Sequence, residues 1–176
     1  MKIILVPILA VIYSLVHITN HYLTEPLYLL TGAHLVHLPT GIKLFFVLIF
    51  GWIGVAAIFT SYLYLSMSTF FDGHFTLSFL VAAISSIAPM LSIVLIKYFY
   101  DVEDNYFNIS PKALFSIAVI YSIINSVVVQ LIIYIFEKSK SLEDGIFVMF
   151  IGDMTGIALL VLILLCSSKL IDKIKR

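Results

Sequence analysis

Long apolar stretches, separated by short polar clusters, run through nearly the whole chain. Six of them stand out, at about residues 3–23, 39–50, 54–70, 75–100, 113–136 and 145–168. A stretch of about 18 apolar residues predicts a membrane-spanning helix, because a helix satisfies its own backbone groups where lipid cannot. We therefore predict an all-α, polytopic transmembrane helical bundle of about six spans, with five as the alternative.

The second and third stretches form one run from residue 39 to residue 70, which is too long for one comfortable span. Two glycines around Trp52 interrupt this run and resemble a tight turn at the membrane interface. The pattern favours two helices, over residues 39–50 and 54–70. In the five-span alternative, one long tilted helix replaces both.

Composition excludes a soluble fold. The chain is 62% hydrophobic and 11% charged, with a mean hydropathy of +1.14, whereas soluble domains contain about 25% charged residues. We expect a single integral membrane domain over residues 1–176, embedded in the lipid bilayer, without a soluble domain. The formal net charge is zero and no basic stripe is present, which excludes nucleic acid as a partner.

The positions of lysine and arginine predict the orientation, because these residues stay preferentially in the cytoplasm. A basic tail from Lys169 to Arg176 predicts a cytoplasmic C-terminus, and six spans then place Lys2 on the same side. Lys138 and Lys140 fall outside in this arrangement, against the rule. We expect a multi-pass protein of the bacterial inner (cytoplasmic) membrane with both termini cytoplasmic.

Two charged residues, Lys43 and Asp153, lie inside apolar stretches. A charge there costs from about 3 to over 10 kcal/mol, so it normally faces a protein interior, a cavity or a partner. We predict that Lys43 and Asp153 share one polar site in the outer third of the bundle, flanked by Asn125. In the alternative, Lys43 extends to the lipid headgroups and Asp153 is protonated or hydrogen-bonded to a neighbouring helix.

Small residues predict where helices approach closely. Gly152 and Gly156 lie on one helix face beside Asp153, and such a pair lets another backbone come near. Pro39 and Gly41, at the start of the second stretch, join them as predicted packing positions. The alternative for this group is plain helix packing without a functional site.

Polar residues recur at helical spacing in two other stretches, which predicts that they face the bundle interior. These residues are Ser14, His17 and His21 in the first stretch, and Ser122, Asn125, Ser126 and Gln130 in the fifth. We include Ser14, His17, Asn125 and Gln130 in a predicted polar core. Interhelical hydrogen bonds of about 0.6 kcal/mol each are the alternative explanation.

Four histidines, His17, His21, His34 and His37, are expected near the outer face, at spacings that would suit a metal or haem. The single cysteine, Cys166, has no cysteine or histidine near it in sequence. No carboxylate or cysteine completes the histidine set except Glu25, so a metal or haem there is the minor alternative, and we predict neither a metal nor another cofactor. Paired catalytic carboxylates, a nucleophile with its base and a phosphate-binding loop are also absent from the sequence, so we predict no catalytic residues and no enzyme activity.

A family resemblance rests on Pro39-Thr40-Gly41-Ile42, the later Gly51 and Gly54, and Gly152-Asp153 with Gly156. In order and separation, residues from about 35 to 168 resemble the type-one membrane-associated sensor (MASE) domain family. The resemblance implies a multi-span signal-input module, usually joined in bacteria to histidine kinase or cyclic-di-GMP enzyme domains.

The 176 residues contain no such output domain, so we expect a stand-alone sensor-like membrane module. It would bind a small ligand or a membrane protein and relay the signal to another membrane or cytoplasmic signalling protein. A substrate-binding subunit of an energy-coupling-factor-type transporter is one alternative, although Ala10 lacks the second alanine of that family's docking face. A small accessory subunit of a larger membrane complex is another.

Overall fold

A computed structural model describes residues 4–30, 33–99, 109–139 and 141–174. The described residues form an all-α bundle with six main helices, five of them long and apolar enough to cross a membrane. The helices are α1 (Leu5–Leu23), α2 (Leu38–Phe50), α3 (Trp52–Leu65), α4 (Phe75–Phe99), α5 (Pro111–Ile135) and α6 (Leu142–Ile174). Between α1 and α2 lie a 3₁₀ turn, Glu25–Leu27, and two short antiparallel strands, β1 (Tyr28–Leu30) and β2 (Ala33–His34).

The break between α2 and α3 lies at Gly51, as the two-helix interpretation predicts. Gly51 has φ 56° and ψ −129°, a backbone conformation that glycine adopts without steric cost. A Cβ atom at Gly54 would collide with the carbonyl of Phe46, so the two helices meet closely at this turn. A single helix over residues 39–70 is therefore wrong. With 13 residues, α2 is about 20 Å long, which is too short to cross the bilayer alone.

Helix α6 is longer than predicted at both ends, since it begins at Leu142 instead of residue 145 and continues to Ile174. Glu143 and Asp144 lie in its first turn, where acidic residues are favoured by the helix dipole. Its 33 residues extend about 50 Å, beyond the roughly 30 Å hydrocarbon core. The charged residues that marked its predicted ends therefore belong to the helix outside the hydrocarbon.

Side-chain contacts fix the relative directions of the helices. Helices α1 and α3 run parallel, because Ser14 contacts Ser61 near their middles and His21 contacts Phe70 where α3 ends in a π-helical turn. The turns that follow α3 and α5 meet where the rings of His74 and Phe136 lie 5.2 Å apart. We call this side, which also carries the end of α1, the loop face. The start of α1 and the end of α6 lie on the opposite side, the terminal face.

Polarity is distributed as a lipid environment requires. Large apolar side chains on the outside are exposed, with Leu23 at 76% and Phe147 at 66%. Eight polar residues of α4 and α5 are instead buried: Ser78, Ser85, Ser86, Ser92, Ser122, Asn125, Ser126 and Gln130. Since lipid penalises exposed polar groups, the polar residues of α4 and those of α5 face the interior of the bundle.

This arrangement predicts that cysteines introduced at Glu25 and Asp172 are labelled from opposite sides of the membrane. Glu25 follows α1 on the loop face, whereas Asp172 lies near the end of α6. Accessibility to a membrane-impermeant thiol reagent measures the sidedness, in a Cys166→Ala background that removes the native thiol. Labelling of both positions from the same side would contradict the fold.

Candidate functional site

The connection between α1 and α2 enters the bundle. The backbone N–H of His37 donates a hydrogen bond to the carbonyl of Gly152, at 3.2 Å. Gly152 lies ten residues beyond Leu142, which is about 15 Å along α6 and about half of the hydrocarbon thickness. The non-helical residues 33–37 therefore complete the crossing that the short helix α2 cannot make alone.

Side chains from neighbouring helices satisfy the backbone of this connection. The Asn20 amide donates to the Val36 carbonyl at 3.3 Å, and its Oδ1 accepts from the Leu38 N–H at 3.0 Å. The Thr155 hydroxyl donates to the Leu35 carbonyl at 2.8 Å. Non-helical backbone is tolerated at this depth only where protein groups replace the missing water.

Replacing Asn20 by leucine should therefore destabilise the bundle. The change leaves the partly buried Val36 carbonyl and Leu38 N–H without their partner, and an unsatisfied buried group costs about 1–3 kcal/mol. Denaturant unfolding in detergent measures the loss. Thr19→Ala, at the exposed neighbouring position, is the control. Equal stability of the two variants would contradict this role of Asn20.

Glycines let the connection and α2 lie directly on α6. A Cβ atom at Gly152 would collide with the carbonyl oxygen of His34, and one at Gly156 with that of His37. From the other side, a Cβ atom at Gly41 would lie 2.8 Å from the Gly156 carbonyl oxygen. Pro39, in the first turn of α2, is also buried. Gly41 and Gly156 thus lie at the contact of α2 with α6, whereas Gly152 lies where the connection meets α6.

Asp153 is fully buried and joins three parts of the chain. Its Oδ1 accepts a hydrogen bond from the Thr40 hydroxyl at 2.6 Å, and its Oδ2 accepts from the Asn125 amide at 2.7 Å. The Nδ1 atom of His37 lies 3.5 Å from Oδ1. Thr40 is in the first turn of α2, so the carboxylate lies at the positive end of that helix dipole.

The same hydrogen bonds indicate where the protons are. A threonine hydroxyl has one proton, and Thr40 donates it to Asp153. The contact of 3.0 Å between Thr40 Oγ1 and His37 Nδ1 therefore needs the proton on Nδ1. In neutral His37 the acceptor nitrogen is then Nε2.

Lys43 is also fully buried, one turn after Thr40 on α2. Its Nζ atom lies 4.4 Å from the centroid of the Tyr62 ring, a cation–π contact, and has no hydrogen-bond partner among the described residues. The structure brings Lys43 and Asp153 into the same interior, but within the described chain no salt bridge joins them. Because the side chain is 0% exposed, it does not extend to the headgroups.

The other residues of the predicted polar core lie around Lys43 and Asp153, at different depths along the bundle. Ser14 hydrogen-bonds Ser61 at 2.6 Å, between α1 and α3. His17 packs its ring against those of Tyr62 and His37. Gln130 donates to the Met149 sulfur at 3.6 Å, on the loop-face side of Asp153.

Three of the four histidines lie deeper than the sequence suggests, because the connection turns inward and brings His34 and His37 beside His17. His17, His34 and His37 are each about 5–6% exposed, and they line a cavity of about 20 Å³. Within the described chain, no group of three histidine, cysteine or acidic side chains has a metal-binding arrangement.

Sequence reasoning did not identify Thr40 and Asn20 as important. Thr40 lies within the quoted Pro39-Thr40-Gly41-Ile42 segment, and a hydroxyl in the first turn of a helix is a typical anion partner. The position of Thr40 in the first turn of α2 could therefore have identified it as a partner of Asp153. Asn20 had none, because its partners are backbone groups of a connection whose inward path depends on the tertiary fold.

Comparison with known proteins gives one family. The family model of MASE1 matches residues 1–173, almost the whole chain. The match is wider than the residues 35–168 on which the sequence resemblance rests. No curated protein and no solved structure matches the chain.

Proposed function

Since this chain belongs to the MASE1 family of membrane sensor domains, we propose that its buried polar site detects a small ligand or a membrane protein partner and relays the change to a signalling protein. The site consists of Asp153, Thr40, Asn125, His37 and Lys43. The proposal places the input at Asp153 and the output at the end of α6.

The hydrogen bonds of Asp153 are the observation that carries this proposal. Through one carboxylate, α6 is attached to the first turn of α2 and to α5. A change in the charge or the partners of Asp153 alters both attachments together. Since the carboxylate is fully buried, such a change has a large energetic effect.

Helix α6 is suited to carry that change out of the bundle. Asp153 lies in its closely packed half, beside Gly152 and Gly156. Residues 162–167 are all exposed, and the helix continues to Ile174 with basic residues at its end. A small rotation or shift of α6 at Asp153 therefore moves the terminal face, where a signalling protein could bind.

Lys43 makes the site responsive to charge. Its buried ammonium group has no hydrogen-bond partner among the described side chains. An unsatisfied buried polar group needs a compensating ligand, water or counter-charge. Asp153 supplies the opposite charge without touching it, so a ligand or proton that changes Asp153 also changes the environment of Lys43.

Partner capture from native membranes tests the proposal. The full chain, cross-linked through Cys166 near the end of α6, should capture a membrane or cytoplasmic signalling protein. Asp153→Asn should change the captured amount several-fold. Asp144→Asn, an exposed acid on the same helix, should not change it.

Equal capture by both variants would contradict a relay through Asp153. Capture of transporter subunits would favour the energy-coupling-factor alternative. Constant capture of one large assembly, independent of Asp153, would favour an accessory subunit.

A further inference from the structure

We propose that the ligand of this sensor is the proton, which reaches Asp153 from the loop face along a row of histidine side chains formed by His21, His34 and His37. The proposal names the ligand of the site described above, and so it rests on the proposed function. It comes from the arrangement of the imidazole rings, two cavities and the buried carboxylate of Asp153 at the end of the row.

The three rings of this histidine row are in consecutive contact. The rings of His21 and His34 lie 5.5 Å apart between centroids, and those of His34 and His37 lie 5.9 Å apart, nearly parallel. At the inner end, His37 contacts both Asp153 and Thr40 through Nδ1. His17 joins from the side, with its ring 5.4 Å from that of His37.

Two cavities follow the same route. A cleft of about 150 Å³ between α1 and the end of α3 is lined by His17, His21, Thr69 and Phe70, among others. The cavity of about 20 Å³ further inside is lined by His17, His34 and His37 and shares the Phe70 wall with the cleft. The cleft is large enough for several water molecules and the inner cavity for one, and such waters could bridge neighbouring imidazole rings.

The Nδ1 atom of His17 supports a bridging role for such a water. It is buried and has no hydrogen-bond partner among the described residues, although His17 borders both cavities. A buried imidazole nitrogen without a partner is the group that a bridging water would satisfy.

The groups that face Asp153 and His37 determine what protonation would do. The basic groups from α1, the connection and α2 are His17, His34 and Lys43. The phenols from α1, α3 and α5 are Tyr13, Tyr62 and Tyr121. Helix α4 contributes a neutral hydroxyl, Ser85, through Asn125. With the imidazoles neutral, Asp153 is the counter-charge of Lys43, so its protonation leaves that ammonium group uncompensated.

The transfer moves one proton from water to Asp153. Each imidazole accepts a proton at one nitrogen and releases the proton from the other, so it stays neutral overall and resets by rotation or tautomer exchange. At the end, the carboxylate becomes a carboxylic acid, which weakens its hydrogen bonds from Thr40 and Asn125 and loosens α6.

Infrared difference spectroscopy on the full chain in lipid nanodiscs tests this inference. Acidification from about pH 8 to about pH 5 covers the range in which a proton sensor would act. A carboxylic-acid carbonyl band should appear, and Asp153→Asn should abolish it. His21→Gln and His34→Gln should slow its rise after a pH jump by about a hundredfold. The control is His74→Gln, which changes the exposed fifth histidine. In this variant the band should rise at the native rate.

Two results would overturn the proton pathway. Absence of the Asp153 band in the native chain excludes the proton as ligand. A band that rises at the native rate in both histidine variants excludes the row as the path. His21 is only half-buried, so His21→Gln should fold. It therefore still tests the row if His34→Gln does not fold. Partner capture that still depends on Asp153 would then preserve the sensor function and reject only its ligand.

Discussion

Lys43→Met and Asp153→Asn should each destabilise the protein strongly, and the double variant should lose less than the sum of the two. Both side chains are 0% exposed and carry opposite charges. Removing one leaves the other buried without compensation, which costs about 3–5 kcal/mol, whereas removing both can be nearly neutral. Their coupling does not need a direct salt bridge, because charges interact strongly across a poorly polarisable interior.

A double-mutant cycle on unfolding in detergent measures this coupling. We expect a deviation from additivity of about 1–3 kcal/mol. Lys138→Met and Asp144→Asn, an exposed pair of the same charges on the loop face, provide the control and should be additive within about 0.5 kcal/mol. Additive losses for Lys43 and Asp153 would show that the two charges are energetically independent.

Gly156→Ala should be among the most damaging single-methyl changes in the bundle. The added Cβ atom would collide with the His37 carbonyl oxygen, a backbone atom fixed at the start of α2. Overpacking of this kind costs about 3 kcal/mol, because rigid backbone must move. The same shift would separate Asp153 from Thr40, so both stability and any Asp153-dependent response should fall.

Gly145→Ala supplies the matched control on the same helix. The three atoms nearest to a Cβ atom there all belong to the Gln130 side chain, and the nearest is its Oε1 at 2.5 Å. A flexible side chain can move away, so the loss of stability should be clearly smaller than for Gly156→Ala. Thermal unfolding of the two variants compares them, and equal losses would argue against a backbone contact at Gly156.

Most of the helical architecture could be predicted from the sequence, because the membrane imposes strong rules on length and hydropathy. The break at Gly51 was predictable from two glycines around Trp52. The ends of α6 were not, because charged residues such as Glu143 stop an apolar stretch without stopping a helix. An apolar stretch shows which part of a helix lies in the hydrocarbon core. The helix itself ends where its backbone hydrogen bonds end.

The site was only partly predictable. Charges in an apolar segment single out Lys43 and Asp153, since lipid penalises them. Their partners depend on where the chain folds back, and the inward path of residues 33–37 follows from tertiary contacts with α6. This is why Thr40 and His37, rather than Lys43, join the predicted Asn125 as direct contacts of Asp153.

Under the proposed function, the state of Asp153 sets the position of the end of α6. A spin-label distance between Ile4→Cys and the native Cys166 tests it directly, because both positions are exposed and lie towards the terminal face. We predict that Asp153→Asn shifts the distance distribution, while Asp144→Asn leaves it as in the native chain. Identical distributions in all three proteins would contradict the account.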